Sequence, residues 1–284
     1  MSNPIWKVLY PVIVRESRAM GRRGRRAEYS DRLIVAMFFW MVLHDRTQQW
    51  ACEQSSYHSL FRPRSLPSPS RFSRRLRSDR CTALLKRVVE SFQRSSQCEY
   101  YFLDSRPLTI GACSKDPDGK AGRVYGGFAR GYRLHVLVDE NGVVAAWRIA
   151  SMNVAEPVVA EELLEEARQD SLVLADANYD RTALYEKAEA AGATLLARPR
   201  KNAGKGHRRQ SPIRLRSIAL WNTDAQKHIH MRWHVERAQA HQSTFAGGLQ
   251  PLPTWVRRQP RVERWVAAKL VIYHARLEQK RRAA

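Results

Sequence analysis

The sequence predicts an α/β protein, a mixed sheet flanked by helices and preceded by a helical region. Three observations carry this expectation. Hydrophobic periodicity switches from helical to strand-like spacing near residue 100. Two short apolar runs, Tyr100-Tyr101-Phe102-Leu103 and Leu172-Val173-Leu174-Ala175, each end in an aspartate, Asp104 and Asp176. Between them, two runs at strand spacing flank Asp139-Glu140-Asn141-Gly142, a strong turn signal.

Residues 1–99 read as helices. Ser30 is suited to cap a helix through the apolar stretch Leu33–Leu43, and Thr47 to start another. The prolines of Arg62–Pro69 force a turn. Ser70 is then placed to cap a short helix over Arg71–Ser78, with Phe72 and Leu76 inward at i, i+4 and Arg71, Arg74, Arg75 and Arg77 around them. Leu84, Leu85, Val88, Val89 and Phe92 mark one more helix. Beyond residue 100, Tyr132–Val138 and Val143–Ile149 form the expected hairpin. A helix over Glu156–Arg168 follows, capped by Asn153 and with Val158, Val159, Leu163, Leu164 and Ala167 inward. A helix over Arg181–Ala191 and a strand Thr194–Ala197 come next. Residues 198–217, basic and rich in Gly and Ser, read as a mobile loop. Helices over Ala225–Phe245 and Arg261–Lys280 close the chain. The expected division is a helical region over 1–99, with a possible helix-turn-helix, and an α/β domain with basic C-terminal helices over 100–284.

Charge narrows the partners. The chain of 284 residues carries 49 Lys+Arg against 27 Asp+Glu, a net +22. Residues 1–99 hold 19 basic and 8 acidic side chains, residues 100–196 hold 10 and 15, and residues 197–284 hold 20 and 4. An acidic centre between two basic segments suits carboxylate chemistry performed on a polyanion, nucleic acid above all. A uniformly basic scaffold lacks this pattern. The longest apolar run, Leu33–Leu43, is about half a membrane span. Met1–Tyr10 has neither the charged start nor the apolar stretch of a signal peptide, and Cys52, Cys81, Cys98 and Cys113 are scattered. A cytoplasmic, nucleoid-associated protein with reduced thiols is therefore expected.

Asp104 and Asp176 at apolar strand ends are costly unless paired, hydrogen-bonded or bound to a cation. Oxygen-only ligands suit Mg²⁺ or Mn²⁺. Glu236, in Arg232-Trp233-His234-Val235-Glu236-Arg237, is one of four acidic residues after position 196 and is the candidate third carboxylate. Three converging carboxylates would hold two metal ions for an in-line displacement at phosphorus. Arg232, one helical turn before Glu236, is equally an i, i+4 partner or a phosphate contact. His135 on the hairpin strand either lines the site or is a satisfied sheet histidine. The acidic run Glu161, Glu162, Glu165 and Glu166 is a solvated helix face. Trp147, Trp233, Trp255 and Trp265 are more readily core residues than stacking platforms for an unpaired base.

These residues resemble a family. Leu103-Asp104-Ser105, Gly131-Tyr132-Arg133-Leu134-His135, Asn153-Val154, Ala175-Asp176-Ala177-Asn178-Tyr179 and Arg232–Arg237 look like DDE transposases of bacterial insertion sequences, over about residues 100–245. Many relatives have Tyr seven residues before the glutamate and Lys seven after it; here Ile229 and Ser243 stand there. The resemblance implies a ribonuclease H-like catalytic domain and Asp104, Asp176 and Glu236 as both catalytic residues and ligands of two divalent ions, Mg²⁺ or Mn²⁺. It also implies nicking and strand transfer at terminal inverted repeats and in target DNA, by a homodimer on DNA. Under it, Arg71, Arg74, Arg75, Arg77 and Arg232 are the candidate DNA contacts. Arg22-Arg23-Gly24-Arg25-Arg26 reads as a basic arm for phosphates or a minor groove. A ribonuclease H-like nuclease without strand transfer, or a transposase-derived DNA-binding regulator, are the rival readings.

Overall fold

A computed structural model describes residues 3–21, 27–57, 63–93, 98–200, 211–243, 248–249 and 251–283. The arm at residues 22–26 lies outside these, as do residues 201–210 of the expected basic loop. The chain divides into two units, one of residues 1–94, 242–249 and 264–284, the other of residues 95–241 and 250–263.

The first unit is helical. Asn3 caps α1 (Pro4–Ala19), whose Trp6, Leu9 and Ile13 are buried. Ser30 caps α2 (Asp31–Leu43) through the Leu33 N–H. Every residue of α2 from Ile34 to Leu43 is buried, as an apolar surface around the whole helix requires. The Trp40 indole N–H donates to the Ser56 carbonyl, and its ring meets Trp6 edge-on at 4.9 Å. Thr47 caps the single turn α3 (Gln48–Ala51). Helix α4 (Pro69–Leu76) begins two residues earlier than expected. Ser68, rather than Ser70, accepts from the Arg71 N–H, and Pro69 takes the first helical position, where a missing N–H costs nothing. Phe72 and Leu76 are buried as predicted. Helix α5 (Asp79–Phe92) buries Cys81, Leu84, Leu85 and Val88. From residue 264 on, α11 (Gln259–Ala283) belongs to this unit. Its buried Lys269 donates to the Val42 carbonyl and lies 2.6 Å from Asp45 Oδ1.

The second unit is the mixed sheet flanked by helices. Strand β1 (Tyr100–Thr109) pairs antiparallel with β3 (Gly127–Asp139) and parallel with β5 (Leu172–Ala175), which pairs parallel with β6 (Thr194–Ala197). Strand β4 (Val144–Ser151) joins β3 across the predicted turn. There the buried Asp139 carboxylate accepts from the Asn141 and Val143 N–H groups. A strand absent from the sequence reading, β2 (Lys120–Val124), pairs with the start of β3. The crossovers are α6 (Glu156–Leu164) and α7 (Thr182–Ala190). Their apolar sides pack with Tyr101, Leu103, Leu137, Val173 and Leu195 on one sheet face.

Several expectations need correction. Helix α6 ends at Leu164, Ala155 rather than Asn153 precedes it, and Val158 is exposed at 58%. Residues 212–223, placed partly in the expected loop, are helix α8 (Pro212–Thr223). The predicted Ala225–Phe245 helix is two helices, α9 (Ala225–Met231) and α10 (Trp233–Ser243), separated at Arg232. Trp265 is a core residue, whereas Trp233 is exposed.

Candidate active site

Strand register brings the two aspartates together. Leu103 and Ala175 are partners at the last rung of the parallel β1–β5 ladder. Asp104 and Asp176 are therefore the residues that follow this rung, Asp104 within β1 and Asp176 just past the end of β5. Strand β5 stops there, but β1 does not. It continues to Thr109 against β3, so Asp104 lies in mid-strand opposite Val136 rather than at a strand end. The pair sits where the parallel half of the sheet ends, outside the carboxyl ends of its strands, the general location of ligand sites in open α/β sheets.

Each carboxylate is oriented. Asp104 accepts from the Ser105 N–H at 2.8 Å and from Gln239 Nε2 at 2.9 Å. Asp176 caps a 3₁₀ turn over Ala177–Tyr179, accepting from the Asn178 N–H at 2.8 Å. Arg106, two residues along the strand from Asp104, donates to the Gln239 carbonyl. His234 stacks on Phe102 with ring centroids 5.5 Å apart. Both contacts hold α10 over the sheet face that carries Asp104. Glu236 is on the exposed side of that helix.

The electrostatics join all three carboxylates with Arg232. Burial pushes the Asp104 carboxyl up to about 6. The Ser105 N–H and the Arg232 charge pull it down, while the charges of Asp176 and Glu236 push it further up. Tyr179 is buried behind the pair, its hydroxyl driven upward by burial and then by the Asp104 and Asp176 charges. Among the described residues, no three His, Cys, Asp or Glu side chains converge closely enough to enclose an ion. The two aspartates follow the last rung of the β1–β5 ladder, and Glu236 is close enough to be felt by Asp104 without completing a cage.

His135 does not line this site. Strand alternation places it opposite Ser105, on the face turned away from the Asp104 carboxylate. Nor is it a satisfied sheet histidine. It is buried, neither ring nitrogen has a hydrogen-bond partner among the described residues, and burial followed by the Arg133 charge lowers its pKa to about 4. The candidate DNA contacts on α4 differ from one another. Arg75 is half-buried and bonded to Asp31 Oδ1 at 2.5 Å and to the Tyr29 carbonyl. Arg71 pairs with Glu28 in the open at 2.6 Å. Arg74 and Arg77 carry no such partner role in the core of the unit, and Arg77 is exposed.

Sequence reasoning missed the group that fixes the Asp176 turn. Asp180 is buried and accepts from Arg214 Nε at 2.8 Å, from Arg214 Nη2 at 2.9 Å, from the Tyr185 hydroxyl at 3.1 Å and from the Arg200 N–H at 3.0 Å. The Arg200 guanidinium in turn donates to the Ala177 and Asn178 carbonyls. Arg214 lies on α8, in the stretch read as loop, so only the closeness of Asp180 to Tyr179 hinted at this network.

The mixed sheet thus carries two aspartates next to each other at the end of its parallel ladder, with a helix-borne glutamate near them. The family described as "Transposase DDE domain" matches residues 102–271, and the chain belongs to that family. Among solved structures, the chain is similar to one described as the "piggyBac transposase synaptic complex with hairpin DNA", with a TM-score of 0.53 at 10% identity, over 99% of this chain and 75% of that one. At that identity the likeness concerns fold. Curated proteins gave no match.

Proposed function

We propose that this protein is an insertion-sequence transposase that nicks DNA at the ends of its element and transfers the freed 3′ ends into target DNA, with Asp104, Asp176 and Glu236 as the catalytic carboxylates. The observation that carries this reading is the placement of Asp104 and Asp176 directly after the last rung of the β1–β5 ladder, reinforced by the response of Asp104 to the Glu236 charge.

The residues suit divalent ions in part. Asp104 and Asp176 offer oxygen donors only, and their mutual repulsion is relieved by a bound cation. Glu236, exposed on α10, has freedom to turn toward them and complete the ligand set. Two Mg²⁺ or Mn²⁺ ions held there would supply Lewis-acid stabilisation of the attacking and leaving oxygens at phosphorus. The protein's own part is orientation. Gln239 and the Ser105 N–H fix the Asp104 carboxylate, the Asp180–Arg214–Arg200 network fixes the Asp176 turn, and Arg232 offers positive charge beside the carboxylates for a phosphate. The helical region at residues 1–99 supplies DNA affinity, through Arg71, Arg74 and Arg77 of α4 and the basic arm at residues 22–26. The named DNA complex of the similar structure supports DNA as partner, and joining two element ends calls for a homodimer on DNA.

The test is nicking of supercoiled plasmid, followed by joining of pre-cleaved oligonucleotides, with Mg²⁺ or Mn²⁺ and with chelator. Asp104→Ala, Asp176→Ala and Glu236→Ala are each expected to abolish both steps while DNA binding persists. Nicking without joining would demote the protein to a nuclease. Full activity in any one variant removes that residue from the site.

A further inference from the structure

Two large aromatic side chains stand in solvent at one point of the second unit. Tyr125 is 106% exposed and Phe128 is 81% exposed. Both lie at the tip of the β2–β3 hairpin, where Val124 pairs with Gly127 across the turn Tyr125-Gly126. Gly126 has a φ of 80°, open to glycine at no cost. The arm is built to project. Strand β1 pairs with β3 only from Gly131 onward, so residues 127–130 of β3 extend beyond it with β2 as their ladder partner. The base is clamped. Arg130 donates to the Gly119 and Asp116 carbonyls, and the buried Tyr132 hydroxyl donates to the Asp116 carboxylate. A clamped base with exposed aromatic rings at its end is suited to meeting a partner outside the unit.

The position of the arm indicates what that partner is. The start of β3 lies beside Thr109 at the carboxyl end of β1, five residues along that strand from Asp104. Strand alternation from Val136, the partner of Asp104, puts Phe128 on the Asp104 face, with Arg123 opposite it on β2. The strand from Val136 back to Phe128 has a reach of about 26 Å, or roughly eight base-pair steps of DNA. Lys120 and Arg123 are exposed on the arm, within a segment whose overall charge is acidic. Positive charge beside bare aromatic rings is the chemistry that holds unstacked or unpaired bases.

We infer that the β2–β3 hairpin is a DNA-engaging arm on which Tyr125 and Phe128 stack against unpaired or unstacked bases flanking the site of cleavage, while Arg123 binds the adjoining phosphate. This rests on the transposase reading and adds to it a contact that no carboxylate supplies.

The experiment uses the full chain with two probes, an intact duplex and the same duplex interrupted by a short single-stranded gap carrying iodouracil. Wild type is expected to prefer the gapped probe and, on irradiation, to crosslink through the peptide that contains Tyr125 and Phe128. Tyr125→Ala/Phe128→Ala is expected to lose roughly ten-fold in gapped-probe affinity with an unchanged salt dependence, since stacking releases no counterions. Arg123→Ala is expected to lower the log–log salt slope by about 0.9. Both rings are in solvent, so circular dichroism should show an intact fold, and intact-duplex binding serves as an internal control. Unchanged affinity for both probes together with crosslinks elsewhere overturns the assignment while leaving the transposase reading untouched. A hairpin variant that keeps its DNA affinity but loses self-association in light scattering also overturns it, in favour of a protein–protein contact. A wild type that binds no DNA removes both readings together.

Discussion

Removing the guanidinium of Arg214 should destabilise the second unit by stripping a buried carboxylate of its partner. Asp180 has no exposed side-chain surface, and the Arg214 side chain is 14% exposed. Burial alone would raise the Asp180 carboxyl. The paired hydrogen bonds from Arg214 and then the Arg200 N–H outweigh it and hold the carboxyl below the usual range. In Arg214→Ala the carboxylate keeps only the Tyr185 hydroxyl and the Arg200 N–H, and a buried charge stripped of its partner costs about 3–5 kcal/mol. Replacing both partners by apolar residues, Asp180→Leu with Arg214→Met, should recover much of that stability, because neither charge is then left unmatched. Activity should not return with it. A leucine side chain at position 180 cannot accept from the Arg200 N–H, so the tie between Arg200 and the Asp176 turn is broken. The assay is urea unfolding of wild type, both single variants and the double variant, alongside plasmid nicking. The pH dependence has a definite sign. Asp180 is depressed in the folded state, so its contribution is fully present above the unfolded carboxylate range and disappears as pH falls through the lower folded value. Comparison of wild type with Asp180→Asn should therefore show a stability gap at neutral pH that closes in acid. A cost under 1 kcal/mol in Arg214→Ala, set against the range expected for a stripped buried charge, or a double variant that nicks at the wild-type rate, would refute the reasoning.

Three further outcomes follow from the same structure. Asp104 is raised to about 6, so in chelator Asp104→Asn should be more stable than wild type above that pH, by up to about 3 kcal/mol. The gain should shrink as pH falls through that value and vanish below the unfolded carboxylate range, where wild type is protonated in both states; urea unfolding across pH checks this. On α4, Arg74→Ala/Arg77→Ala should reduce the log–log salt slope of DNA binding by about 0.9 for each phosphate no longer neutralised. Arg75→Ala should instead lower thermal stability, since Arg75 is bonded to Asp31; a fall in slope for Arg75→Ala alone would reverse that division of roles. Lys269 is 2% exposed and bonded to Asp45, with burial pulling its pKa down. Lys269→Ala should cost about 3 kcal/mol or more in chemical unfolding, having left a cavity and removed the bonds to the Val42 carbonyl and Asp45, and Lys269→Met should cost less.

Most strands, and two of the four expected caps, could be read from neighbours along the chain. Ser30, Thr47 and the Asp139–Gly142 turn act where they stand in the sequence, because a cap or turn is made by residues within about four positions of one another. Asp104, Asp176 and Glu236 could be singled out in the same way, since a carboxylate beside apolar strands or among cationic neighbours is conspicuous in composition alone. Pairing was not legible. That Asp104 and Asp176 come next to each other depends on the β1–β5 register, set between segments far apart in the chain, and that His135 turns away depends on the β1–β3 register. Asp180 was not singled out, because its counter-charge lies 34 residues away on a helix that polar composition disguised as a loop. The short, Gly-rich β2–β3 arm carries too little alternation to announce itself, and only the end of β1 at Thr109 leaves Tyr125 and Phe128 standing clear. Local chemistry thus marks the residues that are costly to bury. Which of them meet is settled by register, helix placement and ion pairing, all of which depend on contacts distant along the chain.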